Sequence, residues 1–139
     1  KDSDLWHIFS FGPSLLNEDG SARDKDGQFH ITDRYSRWNQ YDSSVGFPVT
    51  NPRTAIGQAE DGHYILVAVD GRKKNSSRGM TFPELSHLLY EEGAEVAYNL
   101  DGGGSVLMYF QGEKVNNTGG NIRTPGDYIC ILPSGKNEF

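Results

Sequence analysis

Apolar residues in this chain come in short bursts separated by glycines and charged residues, a spacing that predicts strands joined by tight turns. Thr54 to Gln58, a turn at Glu60-Asp61-Gly62 and His63 to Val69 read as a hairpin. Its second strand is nearly all apolar and is expected at the centre of a sheet. Ala94-Glu95-Val96-Ala97-Tyr98 and Val106-Leu107-Met108-Tyr109-Phe110 read as two further strands, Leu5 to Phe11 as a weakly alternating one, and Tyr128-Ile129-Cys130-Ile131-Leu132 as a core strand. One stretch has a helical period instead. Thr81-Phe82-Pro83-Glu84 carries the capping-box pattern, with Thr81 as N-cap, Glu84 at N3 and proline in the first turn. Phe82, Leu85, Leu88 and Leu89 then share one face and Gly93 is a stop, which gives one helix of about eleven residues. The segment from Ser21 to Val49 is irregular, with a short helical turn expected near Ser36 to Tyr41. The fold class expected is α+β: a mixed, mostly antiparallel sheet with one main helix packed on it, leaving little room for repeated βαβ units.

Size and charge narrow the function classes. A chain of 139 residues suits a single domain, 1–139, with a real core. Thirteen Lys and Arg against nineteen Asp and Glu give a net charge of −6, which argues against nucleic acid or an anionic bilayer as partner. Mean hydropathy is −0.61, and the longest apolar run, Tyr64 to Val69, is far short of the ~20 residues a membrane helix needs, so no membrane insertion is expected. Cys130 is the single cysteine, which excludes an internal disulfide, and its setting predicts an inert buried thiol. His7, His30, His63 and His87 form no metal-ligand spacing. Asp24-x-Asp26-Gly27 hints at calcium, but the remaining ligand positions of an EF-hand loop are missing, so the expectation is no cofactor and no metal, with calcium the alternative. Phe29, Tyr35, Trp38 and Tyr41 read as anchors that pin a long loop, with stacking on a sugar face as the other reading. The sequons at Asn75 and Asn116 carry little weight.

Candidate chemistry concentrates in Asn99-Leu100-Asp101-Gly102-Gly103-Gly104-Ser105, where an acid and an amide flank three glycines between two apolar segments. Without β-carbons the backbone N–H groups can approach an anionic or sugar oxygen. The plainer alternative is an Asp-Gly hairpin with a solvated aspartate. Asp70-Gly71-Arg72 sets a carboxylate and a guanidinium at the exit of the apolar strand, where a strand-end salt bridge is the plainer reading. Glu84 is explained by capping, and Ser105 lacks the Gly-x-Ser-x-Gly elbow of a serine nucleophile.

Order and spacing add a further observation. Asn51-Pro52-Arg53-Thr54-Ala55-Ile56-Gly57, Val67-Ala68-Val69-Asp70-Gly71-Arg72, Gly79-Met80-Thr81-Phe82-Pro83-Glu84-Leu85, the Asn99 to Ser105 run, Val115-Asn116 and Arg123 follow one another as in the phosphodiester glycosidase family, which the chain resembles from about Phe11 to about Leu132. The resemblance implies a hydrolase that cleaves sugar 1-phosphodiesters of the N-acetylglucosamine type on glycans or cell-surface polymers, in an extracellular, cell-surface or virion-associated setting. It implies Asp101, Asp70 and Glu84 as catalytic candidates, and Arg53, Thr54, Arg72, Asn99, Gly102, Gly103, Gly104, Ser105 and Arg123 as substrate-binding ones. Cleavage at an anomeric carbon passes through an oxocarbenium-like state flanked by carboxylates, while a phosphodiester leaves as a stable anion, so cations matter more than a strong acid. In the family, the segment matching Phe11-Gly12-Pro13, Leu15-Leu16 and Asp19-Gly20 lies well inside the domain. The chain is therefore expected to be the C-terminal part of a domain and weakly active alone. A missing N-terminal segment would complete the site and cover an apolar edge or an oligomeric contact. Two other classes stay open: a noncatalytic binding module for anionic glycans, and a structural piece of a phage tail or cell-surface assembly.

Overall fold

The computed structural model describes residues 12–23 and 49–132. The strand expected at Leu5 to Phe11, the Asp24 and Asp26 fragment, the four aromatic positions and the helical turn at Ser36 to Tyr41 lie outside the described residues. Strand β1 (Arg53–Ala59) turns through Gly62 into β2 (Tyr64–Val69), and helix α1 (Phe82–Glu91) precedes β3 (Ala94–Asn99). A 3-10 turn (Gly103–Ser105) and a two-residue hairpin, β4 (Tyr109–Phe110) and β5 (Glu113–Lys114), follow. The fold is α+β, and every strand pair among the described residues is antiparallel.

Among the described residues the sheet order is β2-β1-β3, so of these three strands β1 and not the apolar β2 lies in the middle. Ala55 faces Val67 across one ladder and Asn99 across the other, and Ile56 faces Leu66 and Tyr98. The apolar run of β2 has another cause than centrality: both of its faces are apolar. Ile65, Val67 and Val69 pack against the core, whereas Tyr64 and Leu66 are exposed, on the same side of the sheet as exposed Val96. The buried cluster joins Ala55, Ala94 and Ala97 of the strand region, Phe82, Leu85 and Leu89 of α1, and Leu15 and Leu16.

Helix α1 starts where the sequence predicts. Thr81 Oγ1 accepts from the Glu84 amide at 3.3 Å and Glu84 Oε2 accepts from the Thr81 amide at 2.8 Å, which satisfies two of the unpaired donors of the first turn. Gly93, at φ +84°, ends it. Ser86, wholly buried, accepts from the Arg23 amide at 2.7 Å and donates to the Leu15 carbonyl at 2.6 Å. Residues 12–15 run beside β3, held by Leu15 N to Ala97 O at 2.9 Å and Asn99 N to Pro13 O at 3.0 Å.

Two expected strands are absent or shortened. Of Val106 to Phe110 only the last two residues form a strand; ahead of them the Asn116 side chain takes two backbone bonds, its Oδ1 accepting from Met108 N at 2.7 Å and its Nδ2 donating to Val106 O at 2.9 Å. Tyr128 to Leu132 is not a strand and Cys130 is exposed, which corrects the reading of a core strand with a buried thiol. No described strand lies beside this segment to take its backbone bonds, and a continuous apolar run without a partner edge cannot bury itself.

Candidate functional site

Four chain segments meet at the end of the sheet where β1 begins and β3 ends. Leu100 N donates to Thr54 O at 2.8 Å, Gly103 N to Pro52 O at 3.0 Å, Gly119 N to Gly71 O at 2.9 Å and Arg123 N to Gly104 O at 2.9 Å. The three glycines explain how the segments come so close. A β-carbon on Gly102 would stand 2.7 Å from the Pro52 carbonyl, one on Gly104 would collide with the Asn121 carbonyl, and Gly103 adopts φ +61°. Three amides of the run expected as a cradle are engaged within the chain. Gly102 N is held by Asp101 Oδ1 at 2.8 Å, Gly103 N by Pro52 O, and Ser105 N by Gly102 O at 3.2 Å. The glycines serve close packing of backbone on backbone, and the half-buried Ser105 closes the 3-10 turn.

Cations dominate this end. Arg53 is 5% exposed, its guanidinium 4.0 Å from the centre of the Phe82 ring. Its Nε donates to Met80 O at 3.0 Å and its Nη2 to Val49 O at 2.8 Å. Burial first, and then the charge of Arg72, lowers its pKa to about 10, which still leaves it a cation at neutral pH. Arg72 is exposed at φ 59°, with its Nη2 on Asn51 Oδ1 at 3.0 Å. Among the described residues neither guanidinium has a carboxylate partner. Arg123 has one: its Nη2 lies 3.8 Å from Asp101 Oδ2, and the Asp101 side chain is 55% exposed.

The other candidates are placed less openly. Asp70, at the exit of β2, accepts on Oδ1 from Asn117 N at 2.7 Å and from Asn116 Nδ2 at 3.4 Å, so its carboxylate ties that exit to the 116–119 loop. Asn99 is buried, with Nδ2 donating to Gly12 O at 2.9 Å and Leu100 O at 2.8 Å, while its buried Oδ1 has no partner among the described residues. Thr54 joins the site through its backbone. The Glu84 carboxylate is committed to the Thr81 cap and to Arg78, whose two terminal nitrogens both reach it. The Arg78 hydrogen bond, then that from the Thr81 amide, holds its pKa down at about 2. Two residues with site roles escaped the sequence reading: Asn51, which holds Arg72, and Asn116, which joins Asp70 to the backbone of 106–108. Both had a signal, since each heads or ends a quoted motif.

An open depression of about 520 Å³ lined by Asp19, Tyr90, Glu91 and Glu95 contains none of the candidate residues, so convergence of polar groups marks this site rather than depth of surface. Among the described residues no group of three or more His, Cys, Asp or Glu could hold a metal, and no helix is long and apolar enough to cross a membrane.

A family model described as phosphodiester glycosidase matches residues 1–132. An SPbeta prophage-derived uncharacterized protein, YomE, of Bacillus subtilis is 36% identical over 96 residues, 69% of this chain and 15% of that protein. The N-acetylglucosamine-1-phosphodiester alpha-N-acetylglucosaminidase of Bos taurus is 36% identical over 64 residues, 46% of this chain and 12% of that enzyme. The crystal structure of a hypothetical protein from Synechocystis aligns with TM-score 0.54 and 25% identity over 77% of this chain and 17% of its own. The chain thus spans a small fraction of the length of each of these three proteins.

Proposed function

The chain belongs to the phosphodiester glycosidase family, and on that premise we propose that its parent protein hydrolyses sugar 1-phosphodiesters of the N-acetylglucosamine type on glycans or cell-surface polymers. The observation that carries the reading is the pair Arg53 and Arg72, two cations tied to one Asn51–Met80 bridge without a described carboxylate partner, with the Arg72 guanidinium over Gly103, two residues beyond the exposed Asp101. Two like charges so placed raise each other's energy, and a phosphate-type anion on the exposed one relieves it. In this reading Arg72 and Arg123 meet the phosphate oxygens, and Arg53 contributes its field from within the wall. Water adds to the anomeric carbon as the bond from that carbon to the phosphate oxygen breaks; the electron pair leaves on the phosphomonoester, and the proton that the water loses passes to a carboxylate or to the departing phosphate. Asp101 stabilises the cationic sugar or activates that water, and Asp70 is the second carboxylate of the pair. Ser105 and Asn99 shape the sugar-facing wall, Gly102, Gly103 and Gly104 let it close on Thr54 and Pro52, and Glu84 supports it as the helix cap.

In this reading residues 1–139 belong to one domain whose N-terminal part lies upstream, and α1 packs on the sheet, which the closeness of Leu89 Cδ1 to Gly57 supports: a β-carbon there would stand 3.2 Å from it. No metal is assigned a role. The setting is extracellular or virion-associated, which the prophage origin of one relative supports. The test uses the parent protein with an N-acetylglucosamine 1-phosphodiester and a neutral aryl α-N-acetylglucosaminide. The diester is expected to be much the better substrate, and Asp101→Asn to abolish turnover while leaving binding. Equal rates on both compounds refute the phosphate assignment. Binding of the diester without turnover by the wild type makes the domain a glycan-binding module instead.

A further inference from the structure

Arg72 reaches the candidate site by an unusual route. Its backbone lies at φ 59°, in the left-handed region that L residues avoid, and its guanidinium lies over Gly103, where a β-carbon would stand 3.3 Å from Nη2 and 3.6 Å from Cζ. The group that stops it there is the side-chain carbonyl of Asn51, at 3.0 Å. Asn51 is itself fixed. It is 5% exposed, its backbone amide donates to Met80 O at 3.2 Å, and its backbone carbonyl accepts from Met80 N at 3.0 Å. Gly79, at φ +91°, leaves no space for a β-carbon against that carbonyl. The same Met80 carbonyl accepts from Arg53 Nε, so the Asn51–Met80 bridge holds both cations of the site.

We propose that Asn51 is a positioning residue whose neutral side-chain carbonyl aims the Arg72 guanidinium across Gly103 at an incoming phosphate-type anion while leaving its charge uncancelled. An amide is the right group for this task. A carboxylate of the same shape would hold Arg72 equally well but neutralise it, and an alanine would release it. The inference rests on the reading that Arg72 meets the anion of the substrate.

The experiment uses the parent protein, with N-acetylglucosamine 1-phosphate and neutral methyl α-N-acetylglucosaminide as calorimetric probes and the Arg72 Nε–H NMR signal as a readout without ligand. Asn51→Asp should keep the melting temperature and the Arg72 signal, weaken the phosphate probe about tenfold and leave the neutral probe unchanged. Asn51→Ala should collapse the Arg72 signal to that of a mobile side chain, and Asn51→Ala with Arg72→Ala should bind no more weakly than Arg72→Ala alone. An Arg72 signal untouched in Asn51→Ala overturns the inference whatever binds, as does phosphate binding by Asn51→Asp equal to wild type. If Asn51→Ala frees Arg72 as expected but Arg72→Ala binds phosphate as tightly as wild type, it is the anion reading that fails, and the proposed aim toward an anion falls with it.

Discussion

At the scale of single residues, the arginines divide the labour between folding and function. Arg72 holds a backbone conformation that costs an L residue about 1 kcal/mol or more relative to glycine. Arg72→Gly should therefore unfold at higher denaturant than Arg72→Ala by about 1 kcal/mol, while both lose turnover of the phosphodiester alike. Urea titrations beside a diester assay check both halves. Arg53 is the reverse case. Its guanidinium bonds two backbone carbonyls and lies on Phe82 inside the protein, so Arg53→Ala should destabilise by about 2–3 kcal/mol in the same titrations, before any effect on substrate is read. Sequence marked both as phosphate ligands because a guanidinium looks the same exposed or buried. Which carbonyls surround it depends on Val49 and Met80, four residues from Arg53 in the chain in one case and 27 in the other.

At the scale of elements, helix α1 was legible because its signals are local. Thr81 and Glu84 sit three residues apart and meet within one turn, whatever the rest of the chain does. That cap gives a prediction in pH. The Glu84 pKa, lowered to about 2 from 4.5, makes its contribution to stability fully present above about pH 4.5 and lost as pH falls toward about 2. Glu84→Gln should lower stability at neutral pH by about 1 kcal/mol, a modest figure for a side chain that is 39% exposed, and should flatten the loss in acid, as measured by urea unfolding across the pH range. The hairpin of β1 and β2 was legible for the same reason of locality. That β1 and not β2 lies between two described strands was not legible, because the second side of β1 is taken by β3, which arrives from beyond the helix. Nor could the pattern of Val106 to Met108 reveal that a side chain, that of Asn116, would serve as its neighbour in place of a strand.

At the scale of the whole molecule, the net charge of −6 and the cationic cluster pull in opposite directions. A negative protein that binds an anion depends on a local positive field, and salt screens such a field at the exposed Arg72 and Arg123. The KM for the phosphodiester should rise with ionic strength while that for a neutral glycoside stays level, and a level KM for both would remove the arginines from recognition. The pairing of β3 with the central strand has a consequence in time as well. The β1–β2 ladder closes over one short turn, whereas Ala55 must find Asn99 across the whole of β2, the 70–81 loop and α1. Closing that longer loop costs more chain entropy and comes later. Because Asp101 and the glycine run begin where β3 ends, the candidate site is expected to form only after the hairpin and the helix, so a half-folded molecule that already carries both should not yet bind an anion there.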